Sequence, residues 1–364
     1  MTHGFHTINK YHFQSISGKI LLIYCLLSGS TLLNPGNNVF SSFHLPQKKS
    51  ILLGNKTLPE KMDLTTSINS SFLDLFHNDM ECEVEDTHSK LNLRILKIEN
   101  NQFSYSALVS ELSNAIISFS LSRKEFQDFE KDKRYGEMNA KALSRLRDYK
   151  VNDGEAGEIL LFCFLESHLK APKILTKLEL KTSSNDYVKG SDGIHLLRIS
   201  TNKFQLIFGE SKLESSLTDS LSSAFKSIFE FINRDKNNID YEMGLINSQL
   251  CKEALSEEVY QFVKSIIYPS ANAKEPIQKD NAFAIFAGFE IVVSDEEKKM
   301  KNDEFRILVR NRIKEEVEKK KAHIKKKITE YKLFNYTFYL YVFPFMELDK
   351  TRKKIIEDLI HPVK

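Results

Sequence analysis

Residues 204–213 read FQLIFGESKL. Phe204, Leu206, Ile207, Phe208 and Gly209 suit a buried strand, and opposite charges then stand two residues apart at Glu210 and Lys212. Strand side chains alternate between faces, so Glu210 and Lys212 share one face and Ser211 takes the other. An apolar strand that ends in paired charges places them where the sheet stops and chemistry can reach them.

Working outward, DGIHLLRIS at 192–200 is another strand-length run, joined to 204–212 by the short STNK. So short a connection implies an antiparallel hairpin. A further strand is expected at 174–182 (ILTKLELKT), and a helix before it at 152–170, whose centre ILLFCFL is apolar all round and belongs inside a core. Downstream, Leu221, Phe225, Phe229 and Ile232 mark one stripe of a helix over 216–234, with Ser216 and Asp219 placed to cap its start. After a looser polar region from 235, AFAIFAGFEIVV at 282–293 is apolar enough to lie inside a sheet. The order is helix, three strands, helix, strand, an α/β core over 151–295.

On its N-terminal side, 62–150 is expected to add a strand (LNLRILKIE from 91) and helices near 104–120 and 122–147. On its C-terminal side, 296–364 adds a helix with a basic outer face, a strand at 334–345 and a helix from 350. The segment 296–332 has fourteen Lys or Arg against eight acids, with Val309, Ile313, Val317, Ile324 and Ile328 at helical spacing. Its outer face is a solvated surface or a track for DNA or a partner. The first sixty residues differ: no Asp, no Arg, one Glu, five Lys and the apolar run ILLIYCLL at 20–27. That run is too short to span a bilayer. It reads as the h-region of a signal peptide or as sequence upstream of a start at Met62, and the charged remainder favours the second, with 1–61 a disordered or spurious extension.

With 52 basic and 49 acidic residues the net charge is +3, so no global field announces a nucleic-acid binder. Four scattered cysteines without a CxxC exclude a zinc or disulfide framework and fit the cytoplasm, with no membrane association. No GxxxxGK[ST] occurs, so any ATP hydrolysis belongs to a partner.

Asp192 begins the strand before FQLIFGESKL, and in an antiparallel hairpin the start of one strand lies beside the end of the next. Asp192, Glu210 and Lys212 are therefore expected at one edge of the sheet. Neighbouring carboxylates repel unless a cation stands between them. Mg²⁺, or Mn²⁺ in its place, is such a cation, held by one or two carboxylates with water and substrate phosphate. Lys212 is then placed to steady charge developing on a phosphorane. In NDGEAGEILL, Glu155 falls at N3 if Asn152 is the N-cap, which leaves Glu158 as the helix-borne acid able to reach the metal, and Gly154 and Gly157 give the backbone room to approach. Lys177, Lys181 and Lys189 are candidate phosphate contacts. His195 points away from Asp192 and reads as structural, and Ser167 and His168 face differently, which excludes a serine-hydrolase pair.

The order GEAGE, SDG, GESK resembles the PD-(D/E)xK nuclease superfamily, with Ser191 where proline is nominal. More narrowly, GEAGEILL, KGSDGIHLL, FGESKL and FYLYVFPF followed by Arg352 resemble the HamA family of Hachiman antiphage defence over roughly 80–360. The resemblance implies Asp192, Glu210 and Glu158 as metal ligands, Lys212 as the catalytic lysine, DNA as substrate and a HamB-like superfamily 2 helicase as partner. The rival expectation is a non-catalytic DNA-binding or regulatory subunit that only docks on the helicase.

Overall fold

The computed structural model describes residues 64–146, 154–180, 190–233, 238–270 and 276–361. The apolar run at 20–27, Asn152, Lys181 and Lys189 lie outside the described residues. In chain order the strands are β1 (Phe76–Val84), β2 (Ser89–Leu96), β3 (Ile98–Glu99), β4 (Gln102–Phe103), β5 (Lys173–Thr176), β6 (Gly193–Arg198), β7 (Lys203–Glu214), β8 (Gln278–Ile291) and β9 (Thr337–Met346). The helices are α1 (Tyr105–Ser120), α2 (Arg123–Lys131), α3 (Tyr135–Ser144), α4 (Glu155–Ser167), α5 (Leu217–Asn233), α6 (Asn238–Glu253), α7 (Glu257–Ile267), α8 (Asn302–Lys319), α9 (Lys321–Glu330) and α10 (Leu348–Ile360).

Seven strands form one mixed sheet in the order β1-β2-β9-β8-β7-β6-β5, and β3 and β4 make a separate hairpin. FQLIFGESKL sits in β7, which pairs antiparallel with β6 and parallel with β8. The parallel arrangement continues through β9 to β2, while β5 and β1 close the edges antiparallel. Residues 282–289 of β8 and 338–345 of β9 are buried without a break, as strands covered on both faces require. Pro344 lies past Val342, the last β9 residue paired with β2, where the strand has one neighbour and tolerates a residue without an N–H.

Alternate residues of β7 serve different helices. Gly157 of α4 lies against Ser211 so closely that a Cβ there would stand 2.1 Å from the serine hydroxyl oxygen. Gly154, by contrast, has open space around it. Phe208, on the other face, meets Phe231 of α5 with ring centroids 5.5 Å apart. α4 therefore covers the Ser211 face together with α1 and α10, and α5 covers the Glu210 face, with α8 and α9 beside it over β1 and β2.

Several elements differ from expectation. The strand predicted over 174–182 ends at Thr176 and gives way to a turn. The helix predicted over 122–147 breaks between α2 and α3, where Lys133 takes φ 56°. β1 was not foreseen, because a bulge between Asn78 and Met80 interrupts its alternation. The polar region after 235 holds α6 and α7, whose apolar stripes (Met243, Ile246, Leu250; then Phe262, Val263, Ile266) are narrow but buried. The basic segment is a helical turn at Asp295–Lys298 followed by α8 and α9, rather than one helix, yet its predicted stripe is buried throughout. The Ser216–Asp219 cap forms, the Asp219 N–H donating to the Ser216 hydroxyl at 3.1 Å.

Candidate active site

Residues directly opposite in adjacent antiparallel strands project from the same face. Thr176 pairs with Gly193, and Gly193 with Gly209. One step further, the Lys177 N–H donates to the Asp192 carbonyl at 3.1 Å and the Asp192 N–H to the Gly209 carbonyl at 2.9 Å. The register thus sets Lys177, Asp192 and Glu210 in one row, with Lys212 two residues beyond Glu210 on the same face. A bulge between Lys173 and Leu175 in β5 contributes to that alignment, since one extra residue flips every side chain that follows it.

Asp192 is 9% exposed and held from two sides. Lys177 Nζ stands 3.4 Å from its Oδ1, and the Ser211 N–H donates to its Oδ2 at 2.8 Å. Lys212 Nζ lies 2.7 Å from Glu210 Oε1, and Ser227 of α5 hydrogen-bonds the same carboxylate. The Ser220 hydroxyl donates to the Lys212 carbonyl at 3.0 Å, which fixes the end of β7 to the first turn of α5.

Burial, and then the charge of Asp192, push the Glu210 carboxyl up to about 6 against the pull of Lys212. Burial also works against the two ammoniums, but nearby carboxylates outweigh it. Asp192 and Glu158 hold Lys177 above the ordinary lysine range, and Glu210 does the same for Lys212.

Glu158, half-buried in the first turn of α4, joins the cluster through Lys177, whose ammonium its charge helps to hold above the ordinary lysine range. Glu155 does not fill the N3 position of a capping box: Gly154 is the N-cap, and Glu155 is the first helical residue, buried. His195 turns to the α4 side as expected. Its Nδ1–H donates to the Ala171 carbonyl at 2.8 Å, its ring packs on Phe162, and burial drives its pKa down to about 3. His168 hydrogen-bonds the Tyr341 hydroxyl at 2.9 Å through its Nδ1.

A divalent cation fits this donor set chemically. Two hard carboxylates stand in register on neighbouring strands, and the part of the upward shift of Glu210 that comes from the charge of Asp192, second to burial, is repulsion that a cation between them would relieve. Among the described residues no three His, Cys, Asp or Glu side chains form a ready metal cage. The protein offers two carboxylates in the row, which leaves most of a six-oxygen shell to water and substrate.

Sequence reasoning missed two features. Lys177 is part of the carboxylate row as well as a basic side chain near a strand end; its signal was the i, i+15 spacing to Asp192 once the hairpin register is drawn. Ser227 contacts Glu210 from α5, and only the packing of that helix identifies it.

The arrangement defines a class: an α/β protein with an acidic, lysine-neutralised cluster at the end of an antiparallel strand triplet. The chain belongs to the HamA family, the Hachiman defence protein family, whose model matches residues 70–359. Membership implies a role in antiphage defence. No curated protein matches the chain. Among the described residues no helix is long and apolar enough to cross a membrane.

Proposed function

We propose that the chain is a metal-dependent deoxyribonuclease of the PD-(D/E)xK type, acting in the cytoplasm under the control of a HamB-like superfamily 2 helicase. The observation that carries this reading is the row Lys177–Asp192–Glu210–Lys212, set by strand register at the end of β7. Its frame supports the reading too, because α4, β5, β6, β7, α5 and β8 follow the helix, three strands, helix, strand order, with α6 and α7 inserted before β8.

Asp192 and Glu210 would hold Mg²⁺ or Mn²⁺, which when bound polarises a phosphodiester and activates a water. The chain's own groups do the rest. Lys212 keeps Glu210 ionised at neutral pH and offers its ammonium to the charge that develops on the phosphoryl oxygens. The Ser211 N–H fixes the Asp192 carboxylate so that one oxygen is oriented by the backbone. Lys177 tempers the excess negative charge that Asp192, Glu210 and Glu158 would otherwise present to a polyanion.

The test pairs wild type with Lys212→Ala, each with and without a HamB-like helicase, on plasmid and linear DNA in Mg²⁺ or EDTA. Magnesium-dependent cleavage lost in the variant is the expected result; cleavage that survives in the folded variant would sink the assignment. A second reading has one observation in its favour, the lack of a three-acid cage among the described residues. It makes the chain a DNA-binding or regulatory subunit docked on the helicase, and predicts a stable complex with neither metal affinity nor cleavage.

A further inference from the structure

Residues 319–327 read KKKAHIKKK, six lysines and no acid, across the joint of α8 and α9. Ile324, fully buried, anchors this segment to the core, so the lysines take its flanks and outer side. Three of them are neutralised locally: Lys321 by Glu318, Lys325 by Asp86 and Lys327 by Glu330. Lys319 and Lys326 are exposed and Lys320 is half-buried, and none of these three makes an ion pair among the described residues. Their charge is felt nearby. Burial first, and then Lys327, Lys320 and Lys326, hold His323 below the ordinary histidine range against the pull of Glu330.

The face has a fixed relation to the carboxylate row. The Ser222 hydroxyl of α5 lies 2.9 Å from His323 Nε2, and the rings of Phe229 and Tyr331 stack with centroids 4.7 Å apart, so α5 and α9 run side by side in the same direction. Because Ser220 holds the Lys212 carbonyl, the start of α9 is level with the Lys212 end of β7. α5, packed on β7 and β8, stands between α9 and a row that extends toward β6 and β5. One helix diameter is about 10–12 Å, and base pairs of a duplex advance about 3.4 Å each. A few base pairs cross that separation.

The chemistry of the face selects its occupant. Protein interfaces gather aromatic and apolar residues at their centre and are depleted in lysine, whereas no large apolar side chain is exposed over 319–330. Single-stranded nucleic acid is held by basic grooves with aromatic platforms, and this stretch has no Phe, Tyr or Trp. What remains is a polyanion met by charge alone. We infer that the outer face of α9 binds the phosphate backbone of double-stranded DNA, without regard to sequence, through Lys319, Lys320 and Lys326. That the duplex is DNA rests on the proposed activity, but binding here does not require cleavage.

Fluorescence anisotropy of a labelled short DNA duplex in EDTA tests the inference apart from any nuclease activity. Wild type should bind with an affinity that falls steeply between about 50 and 200 mM salt. Lys319→Gln, Lys320→Gln and Lys326→Gln combined should lower the affinity about ten- to a hundredfold and reduce the slope of log affinity against log salt by about 2–3, one phosphate contact for each lysine. The same charge change at Lys124, Lys131 and Lys133, exposed on and just after α2, should leave both nearly as they are. On the wild-type chain, saturating duplex should protect Lys319, Lys320 and Lys326 from chemical acetylation read by mass spectrometry. A triple variant shown by circular dichroism to be folded that keeps wild-type affinity and slope overturns the inference and leaves the face to an acidic protein partner. Equal loss in the control set, or acetylation unchanged by duplex, overturns it as well.

Discussion

Two ionic clusters in this protein have the same inventory, three acids and two bases, and opposite settings. The first is Glu158, Asp192 and Glu210 with Lys177 and Lys212, at strand ends and partly open to solvent. The second is Glu166, Glu179 and Glu253 with Arg123 and Lys173, sealed between α2, α4, α6 and β5. Arg123 bonds Glu253 through both its guanidinium and its backbone N–H, and it donates to the Lys173 and Thr65 carbonyls at 2.8 Å. Lys173 Nζ lies 3.0 Å from Glu179 and also donates to the Ser118 and Leu121 carbonyls. Burial raises the Glu253 carboxyl, and its hydrogen bond to Glu179 requires one of the two to keep a proton.

The sealed cluster spends its donors on backbone carbonyls and leaves no room for a substrate, so it joins the N-terminal helices to the core. The open cluster has short-range partners and one accessible side. Equal charge thus serves structure where its donors are taken up by backbone carbonyls and buried acids, and remains available for chemistry where Lys212 keeps an exposed side. Breaking a sealed pair exposes uncompensated charge to a low dielectric, whereas breaking an open one lets water take over.

The largest effect should follow from Arg123→Met, which takes the guanidinium away from the buried Glu253 and Glu166 carboxylates. A loss of about 3–5 kcal/mol is expected in urea unfolding, and a loss below about 1 kcal/mol would erase the contrast between the clusters. Next, Lys212→Ala should leave stability within about 1 kcal/mol of wild type, as an accessible pair allows. Under the proposed activity it should slow DNA cleavage about 100- to 1000-fold, the scale of one transition-state donor. A variant that unfolds instead would place Lys212 with the structural charges.

His195 sharpens the comparison from the neutral side. Its folded pKa of about 3 lies below the ordinary 6.5, so the unfolded chain takes up the proton first. This contribution is complete above about pH 6.5 and is lost as pH falls toward 3, roughly 2 kcal/mol by pH 5. Equilibrium unfolding at pH 7 and pH 5 measures it, and His195→Gln, which keeps a donor for Ala171, should flatten the slope. Smallest is Gly157→Ala: its Cβ would press on Ser211, which positions Asp192 through its N–H, and the chain should lose about 1–2 kcal/mol by overpacking. A neutral result there would mean that α4 can shift off β7.

Much of the frame was legible because it depends on local period. β7, β8 and β9 follow from apolar runs, α4 from an all-round apolar centre, α5 from its stripe and cap. The pairing of Asp192 with Glu210 was legible for a related reason: a four-residue connection leaves little freedom in register. β1 escaped because a bulge broke its alternation, and α6 and α7 because their apolar stripes are too narrow to outweigh their polar faces.

What the sequence alone determined is therefore the set of elements with strong periodicity and the charged strand end that one hairpin brings together. The tertiary structure decided which charges become enclosed. Arg123 and Glu253 are 130 residues apart, and nothing in their local sequence separates them from surface charges. It also decided that Glu158 of α4 comes near Lys177 and that the chain leaves β8 and β9 toward opposite faces of the sheet. Those outcomes rest on which helix covers which face of the sheet, a choice made by packing between distant segments, which local periodicity does not encode.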